Sequence, residues 1–343
     1  MQVFYRNGIH LPASDLWLDP HHARDFAVVS HAHADHMKGH MGVLCTRATA
    51  AMMRLRGARR VEFQTPDFSE KTSFGDAQIS LFPAGHVLGS SQVLVEHDGA
   101  RLLYSGDFKL RASLSAEKIE IPRADIVVME TTFGMPRYKF PSREKVMDDI
   151  IAWCEKTLEA GSTPVLLCYS LGKGQEVLAG LKDANFPIAL HSKHFEMANL
   201  YRAFGVELPE YSLYEPRSAL EGVLLCASGC RKGAWFQNLP LIQTAYISGW
   251  ALDRSARFRF GTDAAFALSD HADYDELLEY VYATGAQKIF TTHGFEREFA
   301  ADLRGLGFDA APLREYSLNT DSTPKHTARR GDKEAERQLA LGF

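Results

Sequence analysis

The chain has 343 residues, 45% hydrophobic and 24% charged, with a formal net charge of −5. This is globular composition, long enough for two domains with separate cores, and it excludes wholesale disorder, collagen-like repeats and coiled coils. No apolar run approaches the roughly 18–20 residues of a membrane span, and residues 1–15 lack the apolar core of a secretory signal. Five cysteines without a CxxC pair fit a reducing cytoplasm rather than a disulfide scaffold. An acidic total is a poor footprint for binding nucleic acid by global charge, but it leaves room for basic patches or for metal ions that reverse the sign locally. The unusual count is 14 histidines.

In chain order, residues 1–110 read as short strands separated by turns. Strands are expected at 25–30, 77–83, 92–97 and 101–104, with a hairpin turn at HDGAR (97–101) and a helix at 47–56. ADIVVME (124–130) reads as a buried strand that ends in a carboxylate. From about residue 136 the pattern changes. SREKVMDDIIAWCEKTLEAG (142–161) has apolar residues at helical spacing between a Ser cap and a closing Gly. Strands at 164–170, 186–190 and 222–228 then alternate with helices at 172–183 and 194–205, the signature of a parallel α/β layer. After residue 262 come a helix (274–285), a strand (288–293) and a helix (297–307). The polar last 25 or so residues read as a mobile tail. One α/β segment is thus expected between two parts of another fold.

The sharpest feature is SHAHADH (30–36), directly after the strand AVVS. His31 and His33 are two apart, and Asp35 and His36 follow, so a strand giving way to a loop can aim four ligand-type side chains at neighbouring points. Imidazole and carboxylate together suit Zn²⁺, with Mn²⁺ or Fe²⁺ as alternatives. Three further candidates repeat the same arrangement of an apolar strand followed by a ligand-type residue among small neighbours: His86 in PAGHVLGSS, Asp107 in YSGDF and His293 in TTHGF. Each alone reads as readily as a turn or a hydrogen-bonded histidine. Asp107 has the two oxygens needed to bridge ions about 3.5–4 Å apart.

HAHADH, GHVLGSS and YSGDF together resemble the metallo-β-lactamase fold in its binuclear hydrolase form. Glu130 in METTFG, His271 in LSDHADY and His293 in THGF resemble the β-CASP nuclease subgroup. The segment YSLGKGQEVL also resembles that subgroup, and across nearly the whole chain, including LWLDP, ISGWAL and SDHADYDELL with THG, the sequence most resembles the bacterial ligase-associated DNA exonuclease family. The resemblance implies an αββα metallo-β-lactamase sandwich with an inserted α/β β-CASP-like domain. The corresponding parts are 1–135 and 263–317 for the first domain, 136–262 for the insertion and 318–343 for the tail. It implies two divalent ions, one on His31, His33 and His86 and the other on Asp35, His36 and His293, with Asp107 bridging and Asp19 orienting ligands. It further implies single-stranded DNA as substrate, DNA repair as the setting, and a DNA ligase or helicase as partner. His293 matches the RNA-processing members of the subgroup, so RNA processing is the alternative.

The residue types suit phosphodiester cleavage. Two divalent ions neutralise the phosphate and lower the pKa of a bound water towards 7. The leaving sugar oxygen needs a proton, and a His held by a carboxylate, here His271 with Glu130, supplies one near neutral pH. This extra acid argues against the third reading, a small-molecule metallo-hydrolase. Lys173 and Gly174, at a helix start, and Ser228, after a strand, are candidates for phosphate contacts. The basic run Arg54, Arg56, Arg59 and Arg60 reads as a solvated face, and Phe133, Tyr138 and Trp250 read as core before they read as base-stacking platforms. Asp273 reads as a helix cap, and Cys226 and Cys230 as reduced and structural. His10, His21, His22, His40, His97, His191, His194 and His326 show no ligand pattern.

Overall fold

The computed structural model describes residues 1–320 apart from 217–219 and 254; His326 and most of the expected tail lie outside the described residues. The described residues form two compact units, one of Met1–Ala112, Ala116–Lys139 and the chain from His271, the other of Ser113–Ser115 and Phe140–Asp270. The fold is mixed α/β, with three sheets.

The first unit holds two of the sheets. Six short strands, Phe4–Tyr5, Ile9–Leu11, Leu16–Leu18, Phe26–Val28, Gly42–Leu44 and Glu62–Gln64, pair in chain order. The seven-stranded sheet runs antiparallel through Thr72–Phe74, Ala77–Pro83, Ser91–His97 and Ala100–Tyr104. It then continues in parallel through Ile126–Thr131, Lys288–Gly294 and Asp309–Pro312. Asp98-Gly99 closes the hairpin, with His97 opposite Ala100, as the sequence predicts.

Side-chain alternation divides this unit into two cores. Leu11, Leu18, Val28 and Leu44 of the first sheet pack with Ile79, Val93, Val95, Leu102 and Val128 of the second. The opposite face of the second sheet, with Leu94, Leu103, Val127, Met129 and Ile289, packs against Leu277, Tyr280 and Val281 of helix Tyr274–Thr284 and against Phe299 and Leu303 of helix Glu296–Gly305. Burial on both faces is why residues 126–129 form an unbroken apolar run. Asp273 caps helix Tyr274–Thr284 in a capping box with Glu276.

In the second unit six parallel strands lie in the order Ser212–Leu213, Ile188–Leu190, Val223–Cys226, Thr163–Leu167, Ile242–Ile247, Ala264–Phe266. Helix Arg143–Glu159, capped by Ser142, buries Val146 and Ile150 on Leu166, Leu225 and Ile247. Sequence reading anticipates three of these strands and misses the other three. Ile242–Ile247 (IQTAYI) hides because Thr244 is polar; its N–H and hydroxyl both donate to Asp263, at 2.7 and 3.0 Å. Ala264–Phe266 joins this sheet, and the unit runs to Asp270.

Gly222 turns the chain into strand Val223–Cys226 with φ of +83°, and a Cβ there would lie 2.0 Å from the Pro187 carbonyl oxygen. Gly222→Ala therefore combines left-handed strain with a backbone clash that no rotamer relieves. It is expected to destabilise the protein by about 2–4 kcal/mol, read as a lower midpoint in urea unfolding.

Candidate metal centre

Strand Phe26–Val28 ends at the loop 29–36, whose entry is pinned on both sides. Val29 N–H donates to Leu44 O at 3.0 Å, and Ser91 N–H donates to Ser30 O at 2.9 Å. Beyond this point His31, His33 and His36 turn inward and are buried. His31 Nε2 lies 3.0 Å from His33 Nδ1, and His86 Nε2 lies 3.2 Å from the same atom. Asp107 Oδ2 is 3.4 Å from His31 Nε2 and 3.9 Å from His86 Nε2. Donor atoms around a tetrahedral ion with bonds of about 2.0 Å stand roughly 3.3 Å apart. The spacing of this buried donor set fits a cation at its centre.

A second group adjoins it. Asp107 Oδ2 is 3.6 Å from His36 Nε2, which is itself 3.6 Å from Asp35 Oδ2, and Asp107 Oδ1 is 3.9 Å from His293 Nδ1. Asp107 thus faces both groups. It gets there because Gly106, with φ of +54°, lets the backbone pass close to Ser30; a Cβ at Gly106 would meet the Ser30 Cβ at 2.8 Å.

His293 is delivered by a β-bulge. Strands Ile126–Thr131 and Lys288–Gly294 pair Glu130 with Thr292 but Thr131 with Gly294, leaving His293 as the extra residue. His293 has φ of +58°, an uncommon conformation for a non-glycine residue. The Thr131 hydroxyl donates to His293 O at 2.6 Å, and His293 N–H donates to Glu296 Oε1 at 3.1 Å.

Asp19 lies beneath the cluster, 3% exposed. Its Oδ1 accepts the Ser30 N–H at 2.8 Å, and its Oδ2 accepts the Ser30 hydroxyl at 2.5 Å, His36 Nδ1 at 2.8 Å and the Tyr104 hydroxyl at 2.9 Å. The Ser30 hydroxyl, having donated to Asp19, accepts from His31 Nδ1 at 2.9 Å. Asp19 thereby fixes the tautomer of His36 directly and of His31 through Ser30, leaving each Nε2 lone pair for the cluster.

The charges fit the same arrangement. Burial and the neighbouring histidines hold His31 well below its usual range, and burial with His36 pushes His293 down to about 4. Both stay neutral, as ligands must. Burial and the charge of Glu130 push Asp107 up to about 7, a cost that a cation beside it relieves. Burial opposes charge on His36, but Asp35, Asp19 and Asp107 together raise it to about 10. Burial also opposes charge on Asp35, yet His36, His33 and His293 keep that carboxyl well below its usual range.

His271 and Glu130 form a pair next to Asp107. His271 Nδ1 is 2.9 and 3.0 Å from the two Glu130 oxygens. Glu130, 1% exposed, also accepts the Phe108 N–H at 2.8 Å and the Thr132 hydroxyl. Ligand atoms of Asp107, Glu130 and His271 lie within 4.8 Å of one another.

The three phosphate candidates belong to the other unit. Lys173 is buried with its ammonium 2.8 Å from Asp270, and the Gly174 N–H donates to Tyr169 O at 2.9 Å. Gly174 also makes room for His194, whose Cδ2 would stand 2.6 Å from a Cβ at that position. Both groups have these partners inside the unit. Ser228 opens a short 3₁₀ turn, Ser228–Lys232. Phe133 is buried, as its core reading requires, and Arg54 lies over Phe63 on a solvated face. His194 is buried, with its Nε2 3.6 Å from Cys168 Sγ. Sequence reasoning missed Ser30, Tyr104 and Thr132, whose hydroxyls hold the carboxylates beneath the site. Their only signal is that each stands at a strand end beside a ligand-type residue.

No protein-family model matches the chain. It is 41% identical over 335 residues to a protein of Opitutus terrae named "Probable DNA ligase", a match covering 96% of this chain and 33% of that protein. It is 28% identical over 195 residues to RNase aCSPSF2 of Saccharolobus solfataricus, covering 48% of this chain and 39% of the relative. The chain thus spans between a third and two fifths of these relatives. A crystal structure of a protein of unknown function from Enterococcus faecalis shares the fold, with a TM-score of 0.54 and 14% identity over 80% of this chain and 76% of that one. The first unit thus combines two sheets with a buried histidine and aspartate cluster that could hold metal ions. The relatives that the chain resembles are metallo-β-lactamase and β-CASP nucleases. Divalent metals are the cofactors that this group implies. Among the described residues all five cysteines are free, and no helix is long and apolar enough to cross a membrane.

Asp19 has its carboxyl held below the usual range: burial opposes its charge, but His36 and the Ser30 donors outweigh burial. A carboxylate of this kind stabilises the fold above the unfolded Asp pKa and loses that contribution as pH falls through the folded value. In metal-free protein, Asp19→Ala is expected to cost about 3–5 kcal/mol at pH 7, and less when urea unfolding is repeated below about pH 4.

Proposed function

We propose that this chain is a binuclear metal-dependent nuclease acting on single-stranded nucleic acid, with DNA ends as the favoured substrate. The observation that carries the reading is the His271–Glu130 pair beside the buried donor set, within 4.8 Å of Asp107. A hydrolase of small activated substrates needs the cations but not the acid; a phosphodiester with a sugar leaving group needs both.

In this reading His31, His33 and His86 hold one ion, Asp35, His36 and His293 hold the other, and Asp107 bridges them. Three imidazoles and a carboxylate suit zinc, and the second, more oxygen-rich set accepts manganese or iron as well. When bound, the ions neutralise the phosphate and supply a nucleophile from water near neutral pH. His36 must release the proton that its three carboxylate neighbours favour, so metal loading competes with protons. Glu130 accepts from His271 Nδ1, so Nε2 of the imidazolium is the atom that donates to the leaving oxygen. We read the two sheets and flanking helices of the first unit as the αββα sandwich and residues 140–270 as an inserted β-CASP-like domain. DNA is favoured by the 41% match to a protein named a DNA ligase. A second reading, RNA processing, is favoured by His293 and by the relative named RNase aCSPSF2.

The test is to incubate zinc- or manganese-loaded protein with matched single-stranded DNA and RNA labelled at either end. Progressive shortening of DNA is expected, slowing as salt rises, with two metals per chain by elemental analysis. Asp107→Ala should abolish both cleavage and stoichiometric metal binding. His271→Ala should keep the metals and lose about 10²–10⁴-fold in kcat. Preferential cutting of RNA would establish the second reading. Two bound metals with neither polymer cut would overturn both and move small-molecule hydrolysis to the front.

A further inference from the structure

We infer that Arg111 is a positioning residue for His271, acting through the cap of the helix that follows it; the inference rests on the reading of His271 as proton donor. His271 stands two residues before Asp273, the N-cap of helix Tyr274–Thr284. Asp273 is 1% exposed and Glu276 is 7% exposed. Asp273 Oδ1 accepts the N–H groups of Asp275 and Glu276, both at 3.1 Å, and Glu276 Oε2 accepts the Asp273 N–H at 2.9 Å.

This capping box already satisfies the helix end without a cation. The remaining oxygen of each carboxylate turns to one residue. The Arg111 guanidinium is 2.5 Å from Asp273 Oδ2 and 3.7 Å from Glu276 Oε1, which also accepts the Arg111 N–H at 2.7 Å. Two buried carboxylates thus stand side by side, with the Arg111 guanidinium placed against both.

What this clamp fixes is the backbone next to His271. Ala272 N–H donates to Phe108 O at 2.7 Å, and Phe108 N–H donates to Glu130 Oε1 at 2.8 Å. A four-residue strip, Phe108 to Arg111, therefore grips both members of the acid pair. Phe108 holds Glu130 on one side and the peptide after His271 on the other, and Arg111 locks the following turn so that the peptide stays in place. Loosening Arg111 frees the 270s turn, lengthens the contact of His271 Nδ1 with Glu130 and leaves the ring tautomer undetermined, while the donors around Asp107 keep their own supports.

The experiment compares wild type, Arg111→Met, Arg111→Lys and His271→Ala. Rates are measured on single-stranded DNA and on bis(4-nitrophenyl) phosphate, whose leaving group departs without a proton. Metal content is measured alongside. Arg111→Met should lose about 10–100-fold in kcat on DNA, with little change in KM, unchanged metal content and a preserved rate on the activated diester. Arg111→Lys should recover part of the loss. Long-range ¹H–¹⁵N correlation spectra of the histidine rings, with His271 assigned from His271→Ala, provide a readout independent of turnover. Wild type should show Nδ1 protonated, and Arg111→Met a mixture of tautomers. Equal losses on both substrates, or loss of metal, would make Arg111 merely structural. An unchanged His271 spectrum in Arg111→Met would overturn the inference. Should wild type cleave neither DNA nor RNA, the nuclease reading fails, and the spectra still decide whether Arg111 positions His271.

Discussion

The buried carboxylate of Asp19 is the interaction on which the rest of the site depends. It takes four hydrogen bonds from Ser30 and His36, both of the loop 29–36, and from Tyr104 at the end of a strand of the second sheet. Without a charged acceptor at that point, the loop and the strand would meet with unpaired polar groups in a dry core, and each would have to turn elsewhere. With it, the loop that carries His31 to His36 is held so that the histidine ring nitrogens converge. That is preorganisation in the ordinary electrostatic sense: the protein bears the cost of assembling like groups through a counter-charge placed below them.

Above this anchor the site is an assembly of strand ends. Strands Phe26–Val28, Ala77–Pro83 and Ala100–Tyr104 run into turns that carry His31 to His36, His86 and Asp107, and Glu130 and His293 stand near the ends of strands Ile126–Thr131 and Lys288–Gly294. The strip that follows Asp107 ties several of these turns together. Lys109 N–H donates to Ala84 O at 3.0 Å beside the His86 turn, Phe108 reaches Glu130 and Ala272, and Arg111 reaches Asp273. A displacement of one turn is therefore felt by the others, so the candidate ligands and the candidate acid are held by a single framework of main-chain bonds.

Much of this was legible in the sequence, and for a physical reason. Ligand-type residues at strand ends among small neighbours are hard to account for as packing, so SHAHADH, GHVLGSS and YSGDF stand out from the apolar alternation around them. The doubly buried strand before Glu130 and the long capped helix after Ser142 were equally readable, because periodicity is decided locally. What could not be read was the support. Ser30, Tyr104 and Thr132 look like any strand-end hydroxyl until the fold brings a carboxylate to each. The strand Ile242–Ile247 was invisible because its polar Thr244 is satisfied by Asp263, a partner 19 residues away. Lys173 and Gly174 read as phosphate contacts from their neighbours alone; their closeness to Asp270 and His194, distant in sequence, is set by the fold.

The bulge at His293 limits which residues can stand there. Its backbone is left-handed, with φ of +58°, so His, Asn, Asp and Gly can occupy the position at low cost, whereas Val, Ile and Thr crowd their own backbone. The bulge aims whatever side chain it carries towards Asp107, because the pairing on either side of it is set by Glu130 and Thr131 rather than by residue 293. Position 293 is in effect a socket with a narrow set of plugs: an imidazole, a carboxylate, an amide or no side chain at all. Exchanging one of these for another changes the ligand field without rebuilding a strand. Introducing a β-branched residue would first require the bulge itself to be lost.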